Sequence, residues 1–466
     1  MITIRHVIYC ALNGLRYTNR LRIYNAYIIW LLSMIDLGYN PLFATTIFLL
    51  GIVFRIRSVK KIDPLDPFLI VSLLCILTFV SRPIGLTYGL TGYLKNVSRE
   101  VLLLGIWYGV FFYLFFLCGY YFAIKSKFNI WRSSMVGVYI ISGERRGNAN
   151  AMTLLVVLIF LSIAIGLVAT HGGVSYVMEN RATVYRGAGP LVAMLYLGLI
   201  GGLVLFVLWL YNRVGSLYFF TVTTIISLAL LLSTGERLRI LEMILGMIVV
   251  YHYNIKRLSL SKGAIIGVIV ITILTAMLFY RRYYVSGSIG DEGLDFELMD
   301  SLLRNFLMFD GFVAVIERVP SEMDYSYGAG YFFAILGFIP RVIWPDKPAW
   351  GKEVFTQTVF GVDDSVFTYG LVGEFWWNFG AYGVVVGGLL YGFLLGLLYK
   401  YVIRNSQDPM KVIMYFLLMS SLVLRGFKGG MESAFMEIVI KIFMLYFTVL
   451  IITQFRVRVR LHKYKK

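Results

Sequence analysis

The chain has 466 residues, of which 59% are hydrophobic and only 15% are charged, and its formal net charge is +18. A soluble protein carries about 25% charged residues, whereas apolar runs of the ~20 residues needed to cross a bilayer recur along this sequence. The composition excludes an ordinary soluble domain and predicts an all-α polytopic membrane protein.

Hydropathy over a window of ~19 residues predicts about twelve transmembrane helices. They lie at 23–38, 41–54, 67–81, 101–124, 151–170, 190–211, 216–232, 239–253, 264–280, 371–399, 412–424 and 434–455. The chain then divides into nine helices with short loops (1–280), a long loop (281–370), and three final helices with a basic tail (371–466). A loop as long as 281–370 is uncommon unless it has a function of its own.

Basic residues concentrate in alternate loops. With a cytoplasmic N-terminus, the inner segments are 1–24, 55–66, 125–150, 212–215, 254–263, 400–411 and 456–466, which carry 26 Lys and Arg residues against four acidic ones. Because cytoplasmic loops are enriched in Lys and Arg, both termini are predicted to be cytoplasmic. The excess of positive charge therefore reflects topology, and no nucleic-acid partner is predicted.

Several arginines lie in the predicted outer loops, where the orientation rule does not favour them. They are Arg82, Arg99, Arg181, Arg186, Arg237, Arg239, Arg281, Arg282 and Arg425. Arg pairs with phosphate oxygens through two parallel hydrogen bonds and keeps its charge at any relevant pH. The group predicts an anion site at the outer face, and a salt bridge to a nearby acid such as Glu432 is the alternative for any one member.

The run STGERLR places Arg237 and Arg239 at the start of a predicted span, where free helix N–H groups favour a phosphate. Further on, apolar residues recur at helical spacing between Asp295 and Val319, just before Pro320. This pattern predicts an amphipathic helix that lies at the membrane interface or caps the bundle. In the tenth span, a Gly388, Gly392, Gly396 stripe predicts close approach of another helix.

The run FIPRVIWPDKP holds Arg341, Trp344 and Lys347 on a path made rigid by three prolines. A cation and an indole held in this way suit a sugar diphosphate, and a re-entrant turn with Trp344 among lipid headgroups is the alternative. The run GEFWWNFG then places Glu374 at the outer end of the tenth span. A carboxylate there is costly unless it is paired or used, so Glu374 is a candidate general base, with a salt bridge or helix cap as the alternative.

These motifs resemble those of Wzy-type O-antigen and oligosaccharide repeat-unit polymerases. The residues that carry the resemblance are Gly328, Gly330, Tyr331, Ile339, Pro340, Arg341, Trp344, Pro345, Lys347, Pro348, Glu374, Asn378, Gly380, the TGERLR turn and Arg425-Gly426. The resemblance covers roughly residues 230–430. The acid expected directly after Gly426 is absent, which leaves Glu432 open as a site residue.

The resemblance implies a GT-C-like fold in the bacterial inner membrane, with an active site that faces the periplasm. The implied substrate is an undecaprenyl-pyrophosphate-linked oligosaccharide, whose sugar is transferred to the hydroxyl of a second lipid-linked unit as lipid pyrophosphate leaves. The implied catalytic residues are Glu374, Arg341, Arg237 and Arg425, and the implied substrate-binding residues are Lys347, Trp344, Arg282, Arg239, Arg186, Tyr331 and Asn378. Whether a co-polymerase sets chain length stays open.

No metal or other cofactor is predicted, because the sequence has no HExxH, CxxC, Walker or GxGxxG pattern and its cysteines and histidines are dispersed. Two other functions stay open. An O-antigen ligase would share the long outer loop and its basic residues. A flippase or other transporter would also have about twelve spans, but with repeat symmetry and helices broken near the midplane.

Overall fold

The computed structural model describes residues 41–59, 62–87, 98–128, 161, 189–210, 237–286, 299–300, 302–337, 339, 343–344, 346, 351–361 and 367–463. All the regular secondary structure in these residues is helical, which confirms the predicted all-α class. Large apolar side chains such as Leu42, Phe54, Phe122, Phe443 and Tyr446 are exposed on the spans. Exposure of this kind is expected where the neighbour is lipid.

The helices of the first part of the chain are α1 (Pro41–Ser58), α2 (Pro67–Ile76), α3 (Arg82–Thr87), α4 (Arg99–Lys125), α5 (Gly189–Leu210), α6 (Arg237–Asn254) and α7 (Leu260–Ser286). The later helices are α8 (Met308–Arg318), α9 (Ala329–Leu336), α10 (Lys352–Phe360), α11 (Gly370–Asn405), α12 (Pro409–Met419), α13 (Phe427–Gly429) and α14 (Met431–Lys463). A π turn at Leu77–Ser81 joins α2 to α3, and another at Ser420–Gly426 joins α12 to α13.

Six helical segments among the described residues are long and apolar enough to cross a membrane. They are Pro41–Ser58, Pro67–Leu86, Glu100–Lys125, Gly370–Asn405, Pro409–Gly429 and Met431–Leu450. The predicted spans 190–211, 239–253 and 264–280 also coincide with helices, namely α5, α6 and α7. The predicted spans 23–38, 151–170 and 216–232 lie outside the described residues, apart from Leu161. A multi-pass helical membrane protein is therefore confirmed, and the count of twelve stays a prediction.

Helix starts follow from local sequence. Asp66 accepts the N–H of Phe68 and Asp408 accepts the N–H of Met410, and a proline follows each of the two acids. An acidic N-cap satisfies a free helix N–H, and a proline in the first helical position gives up no hydrogen bond. The Asp-Pro pairs thus set where α2 and α12 begin.

The centre of the bundle is the α4–α11 pair, as the glycine stripe predicts. A Cβ on Gly392 would overlap the Phe116 carbonyl oxygen, and one on Gly388 would lie 2.7 Å from the Phe112 carbonyl oxygen. These glycines let the two backbones touch. Because the contacts advance in the same direction along both helices, α4 and α11 run parallel.

The predicted amphipathic helix is α8, which is shorter than predicted and buries all residues from Met308 to Val315. It therefore caps the bundle, the second of its two predicted places. Arg82 Nε and Nη2 donate to Asp310 Oδ1 at 2.9 Å and Oδ2 at 2.8 Å, with both side chains buried. For Arg82 the salt-bridge alternative is therefore right, and the pair fastens α8 to the start of α3.

Three segments predicted to share the inner side, 55–66, 254–263 and 400–411, meet at one end of the bundle. Arg257 pairs with Asp63 at 3.2 Å, and the Asn254 side chain donates to the Ser406 carbonyl oxygen at 2.7 Å. The Tyr399 hydroxyl also donates to Asp63, at 3.2 Å. Tyr399 lies near the C-terminal end of α11, whereas Glu374 lies in the first segment of that helix, before a break at Phe379–Gly380. The break folds this first segment back on the helix, since a Cβ on Gly383 would overlap the Phe375 carbonyl oxygen. The candidate site is built around this first segment.

Candidate functional site

Two buried glutamates face each other at the N-terminal ends of α11 and α14. Glu374 is 1% exposed and Glu432 is 5% exposed, and they are close enough to repel each other electrostatically. A Cβ on Gly430 would overlap Glu374 Oε2, and one on Gly330 or Gly351 would overlap Glu432. Three stretches of bare backbone therefore enclose the carboxylate pair and leave no space for side chains.

The Glu374 carboxylate is buried without a full set of hydrogen bonds. The Tyr331 hydroxyl and the Glu432 N–H lie beside it. Neither, however, has hydrogen-bond geometry, and Glu374 Oε1 and Oε2 have no partner among the described residues. The hydroxyl of buried Tyr369, whose pKa is raised by burial and by the two glutamates, also lacks a partner there. Buried polar groups are nearly always paired, so this arrangement makes Glu374 a candidate functional residue.

Lys352, the first residue of α10, supplies a positive charge beside the glutamates. The residue as a whole is half-buried, but its ammonium group is enclosed by protein atoms and donates to the Ser433 hydroxyl. Burial, reinforced by the charges of Arg425 and Lys428, lowers the pKa of Lys352 to about 8, against the opposing pull of Glu432 and Glu374. An ammonium group held in this way can bind an anion and can also release its proton near neutral pH.

Arg425 lies in the π turn, near Lys352. Its Nε is 3.5 Å from Glu437 Oε2, and its side chain remains 47% exposed. The next turn is tied to the start of α11, since the Thr368 hydroxyl donates to the Lys428 carbonyl oxygen. A π turn of this kind often marks a functional site in a helix. The cationic side of the site thus combines a buried ammonium group with a half-exposed guanidinium group.

The helix that carries Glu374 is broken one turn later, at Phe379 and Gly380 (φ 60°). Asn378 bridges the break: its Oδ1 accepts the Gly328 N–H at 2.7 Å and its Nδ2 donates to the Glu374 carbonyl oxygen at 2.8 Å. Asn378 was predicted to bind substrate, but both ends of its amide are engaged by backbone groups. Its observed role is to hold the GAGY turn (Gly328–Tyr331) against α11.

An apolar groove begins beside the carboxylates. It has a volume of about 390 Å³ and lies between α9, α11 and α14. Tyr331, which also contacts Glu374, lines it together with Ile335, Leu390 and Phe435. Because Ile335, Leu390 and Phe435 are exposed, the groove opens to the outside of the bundle.

The predicted site residues fall into three groups. Glu374, Tyr331 and Arg425 come together around the carboxylate pair. Arg239 is not part of this group. It is buried, its guanidinium carbon lies 4.3 Å from the centre of the Tyr196 ring, and Glu242 is close by. This environment favours a structural role for Arg239 over direct contact with substrate. The aromatic ring and the carboxylate offset the free-energy cost of removing the Arg239 charge from water, so no bound ligand is needed to do so.

The remaining predicted residues are described only in part. Arg341, Lys347 and Arg186 lie outside the described residues, Arg237 is the first residue of α6, Arg282 lies in α7, and Trp344 is half-buried. Their roles stay predictions. Among the described residues, no group of three or more His, Cys, Asp and Glu side chains is arranged to hold a metal ion.

The sequence motifs do not identify two of the site residues. They leave the role of Glu432 open and do not point to Lys352. The sequence does carry a signal for Lys352, because a lysine in the first turn of a helix opposes the helix dipole and needs a reason to be there. That signal is weakened by the adjacent Glu353.

The fold and the carboxylate–lysine cluster define an α-helical multi-pass membrane protein with a buried ionisable site near one end of the bundle. Neither protein-family models nor characterised proteins nor solved structures give a significant match to this chain. The Wzy-type resemblance is therefore carried forward as a proposal.

The glycine enclosure gives the first prediction, on Gly430→Ala. Gly430 has φ +84°, and the added Cβ would overlap Glu374 Oε2, so both backbone strain and displacement of the carboxylate are expected. Gly361→Ala is the control for a positive φ in open space (φ 63°, ψ 27°), and it should cost only about 1–2 kcal/mol. The conformation of Gly430 (φ 84°, ψ 165°) is open essentially only to glycine, so backbone strain adds to its loss. Thermal unfolding in detergent should show a clearly larger loss for Gly430→Ala. Equal losses would contradict the tight enclosure of Glu374.

Proposed function

We propose that the protein is a glycosyltransferase that joins oligosaccharide repeat units carried on undecaprenyl pyrophosphate, at the outer face of the bacterial inner membrane. The observation that carries the proposal is the buried Glu374–Glu432 pair beside Lys352 and Arg425, at the start of an apolar groove. Such a site combines a base, cations for a phosphate and a surface for a lipid chain.

In the proposed reaction, Glu374 accepts the proton of the acceptor's hydroxyl group as the hydroxyl oxygen attacks the anomeric carbon of the donor sugar. The bond between that carbon and the pyrophosphate oxygen breaks, and lipid pyrophosphate leaves with the bonding electron pair. Lys352 and Arg425 stabilise the negative charge of the leaving group. The unpartnered oxygens of Glu374 fit this role, since an incoming hydroxyl supplies the missing donor.

The groove supports a lipid-linked substrate. Its walls at Ile335, Leu390 and Phe435 are apolar and exposed, so a polyprenyl chain can enter from the bilayer. Tyr331 lies between the groove and Glu374, where the pyrophosphate of such a lipid would be. In this proposal the polyprenyl chain of the substrate lies in the groove and the bilayer, and its pyrophosphate binds to the cationic side of the site.

Reconstitution tests the proposal. Purified protein in detergent, given lipid-pyrophosphate repeat units without nucleotide, should produce a ladder of products that grow by one repeat unit at a time. Folded protein that gives no ladder with the cognate repeat unit would count against the polymerase. If products form only when a lipid A core acceptor is added, the enzyme is an O-antigen ligase with the same donor chemistry.

One observation favours a transporter as the second candidate. The break of α11 at Phe379–Gly380 lies next to a buried ionisable cluster, and broken helices beside charged groups are typical of transporters. The two functions differ in their need for compartments. Product formation in detergent requires an enzyme, whereas movement of lipid-linked sugar across vesicles without bond formation would establish a transporter.

A further inference from the structure

A chain of buried charges runs from α6 to the π turn, behind the carboxylate site. Lys441 of α14 is fully buried and contacts Glu242 Oε1 at 2.8 Å and Glu437 Oε1 at 2.6 Å. Its Nζ also donates to the Ser420 hydroxyl at 2.9 Å. The ammonium group thus has three acceptors, which is its full hydrogen-bonding capacity. Such a group is fixed in place.

Glu437 extends this chain to Arg425. Its Oε1 receives Lys441 and the Ser421 hydroxyl, which donates at 3.1 Å, while its Oε2 faces Arg425 Nε at 3.5 Å. The two oxygens of the Glu437 carboxylate therefore contact different groups. Lys441 holds Oε1, and the Ser421 hydroxyl, which Oε1 shares with the Leu417 carbonyl oxygen, supports the same atom. Oε2 is the oxygen that faces the guanidinium group.

The π turn brings these groups together. This seven-residue segment supplies Ser420, which contacts Lys441, and Ser421, which contacts Glu437. Arg425 belongs to the same segment. Both serine hydroxyls also bond the Leu417 carbonyl oxygen, as is common where the regular helical ladder widens. The chain of contacts is continuous from Glu242 to Arg425.

We propose that Glu437 and Lys441 are positioning residues that hold Arg425 toward a lipid pyrophosphate bound beside Lys352. This inference rests on the proposed function. Arg425 is half-exposed on a long side chain, and the Glu437 contact restricts the orientations of its guanidinium group. A group that is already oriented loses less entropy on binding, which is why a supporting layer raises affinity.

The test measures binding of farnesyl pyrophosphate, a short-chain probe, by titration calorimetry on the full chain in detergent. Glu437→Gln keeps an oxygen for Lys441 but loses the charge that holds Arg425, so we expect about tenfold weaker binding. In the Arg425→Ala background, the same substitution should change binding by less than about twofold. Glu322→Gln is the matched control, because Glu322 pairs with Arg318 on the surface and should leave binding unchanged.

The outcomes separate the two proposals. If the wild-type protein does not bind the probe, the proposed function fails. If it binds and Glu437→Gln binds equally well, the positioning role is overturned. The role is also overturned if Glu437→Gln weakens binding as much in the Arg425→Ala background, because a general structural defect acts independently of Arg425. Non-additive losses with unchanged melting temperatures support the proposal.

Discussion

Glu374→Gln is expected to lower the turnover number by about 10²- to 10⁴-fold, the typical contribution of a general base. Glutamine has nearly the same shape, so it fits among Gly430 and the neighbouring backbone where a larger side chain does not. It also removes the repulsion between Glu374 and Glu432. The variant should therefore be folded and at least as stable as the wild type, while its catalysis is lost.

Single-turnover extension of one repeat unit and thermal unfolding, measured on the same preparation, check this expectation. Glu432→Gln is the companion variant: it relieves the same repulsion, but it leaves the unpartnered carboxylate of Glu374 in place. We expect it to cost much less activity than Glu374→Gln. Equal losses in the two variants would mean that the pair acts as one unit, and near-normal turnover in Glu374→Gln would remove Glu374 as the base.

Features that depend on local sequence could be predicted. Apolar runs of the right length predict spans such as Glu100–Lys125, because the bilayer imposes its thickness on each helix separately. The glycines at 388, 392 and 396 predict a close helix contact for a similar reason, since only small residues let backbones touch. The location of Glu374 at a helix end beside aromatic residues was also evident from its own neighbours.

Features that depend on distant pairs could not be predicted. Arg82 and Asp310 are far apart in the sequence, so nothing in either neighbourhood predicts that they pair. Arg239 likewise looked like a phosphate ligand, and only the packing of α5 and α6 shows that it stacks on Tyr196. A surplus of arginines on one side of a membrane protein therefore does not distinguish ligand-binding arginines from those that hold the bundle together.

The GAGY motif lies at the candidate site, as its sequence pattern predicts, but the structure gives a different reason for its residues. Gly330 belongs to the family-like pattern in the sequence, and in the structure its lack of a side chain makes room for Glu432. Tyr331, the next residue, contacts Glu374 and the groove. The motif thus contacts both glutamates of the pair, although it contains no charged residue.

Lys352 gives the second large effect, a loss of substrate binding at alkaline pH. Burial lowers the pKa of Lys352 to about 8, so its positive charge is lost as the pH rises through 8 and the affinity for a pyrophosphate headgroup should fall. Deprotonation of Lys352 does not itself destabilise the fold. The unfolded lysine keeps its proton to about 10.5, so between pH 8 and 10.5 the contribution of Lys352 to stability rises with pH.

Lys352→Arg separates this explanation from other alkaline effects. Arginine stays charged throughout, so the variant should bind the lipid pyrophosphate at pH 9.5 nearly as well as at pH 7, whereas binding by the wild type weakens by up to about tenfold per pH unit above the pKa of Lys352. Lys428→Arg is the matched control, since Lys428 is exposed and its replacement should leave the wild-type pH profile in place. A Lys352→Arg variant that still loses affinity near pH 8 would assign the transition to another group. Retained affinity at high pH would identify Lys352 as the ammonium group that faces the substrate's phosphates.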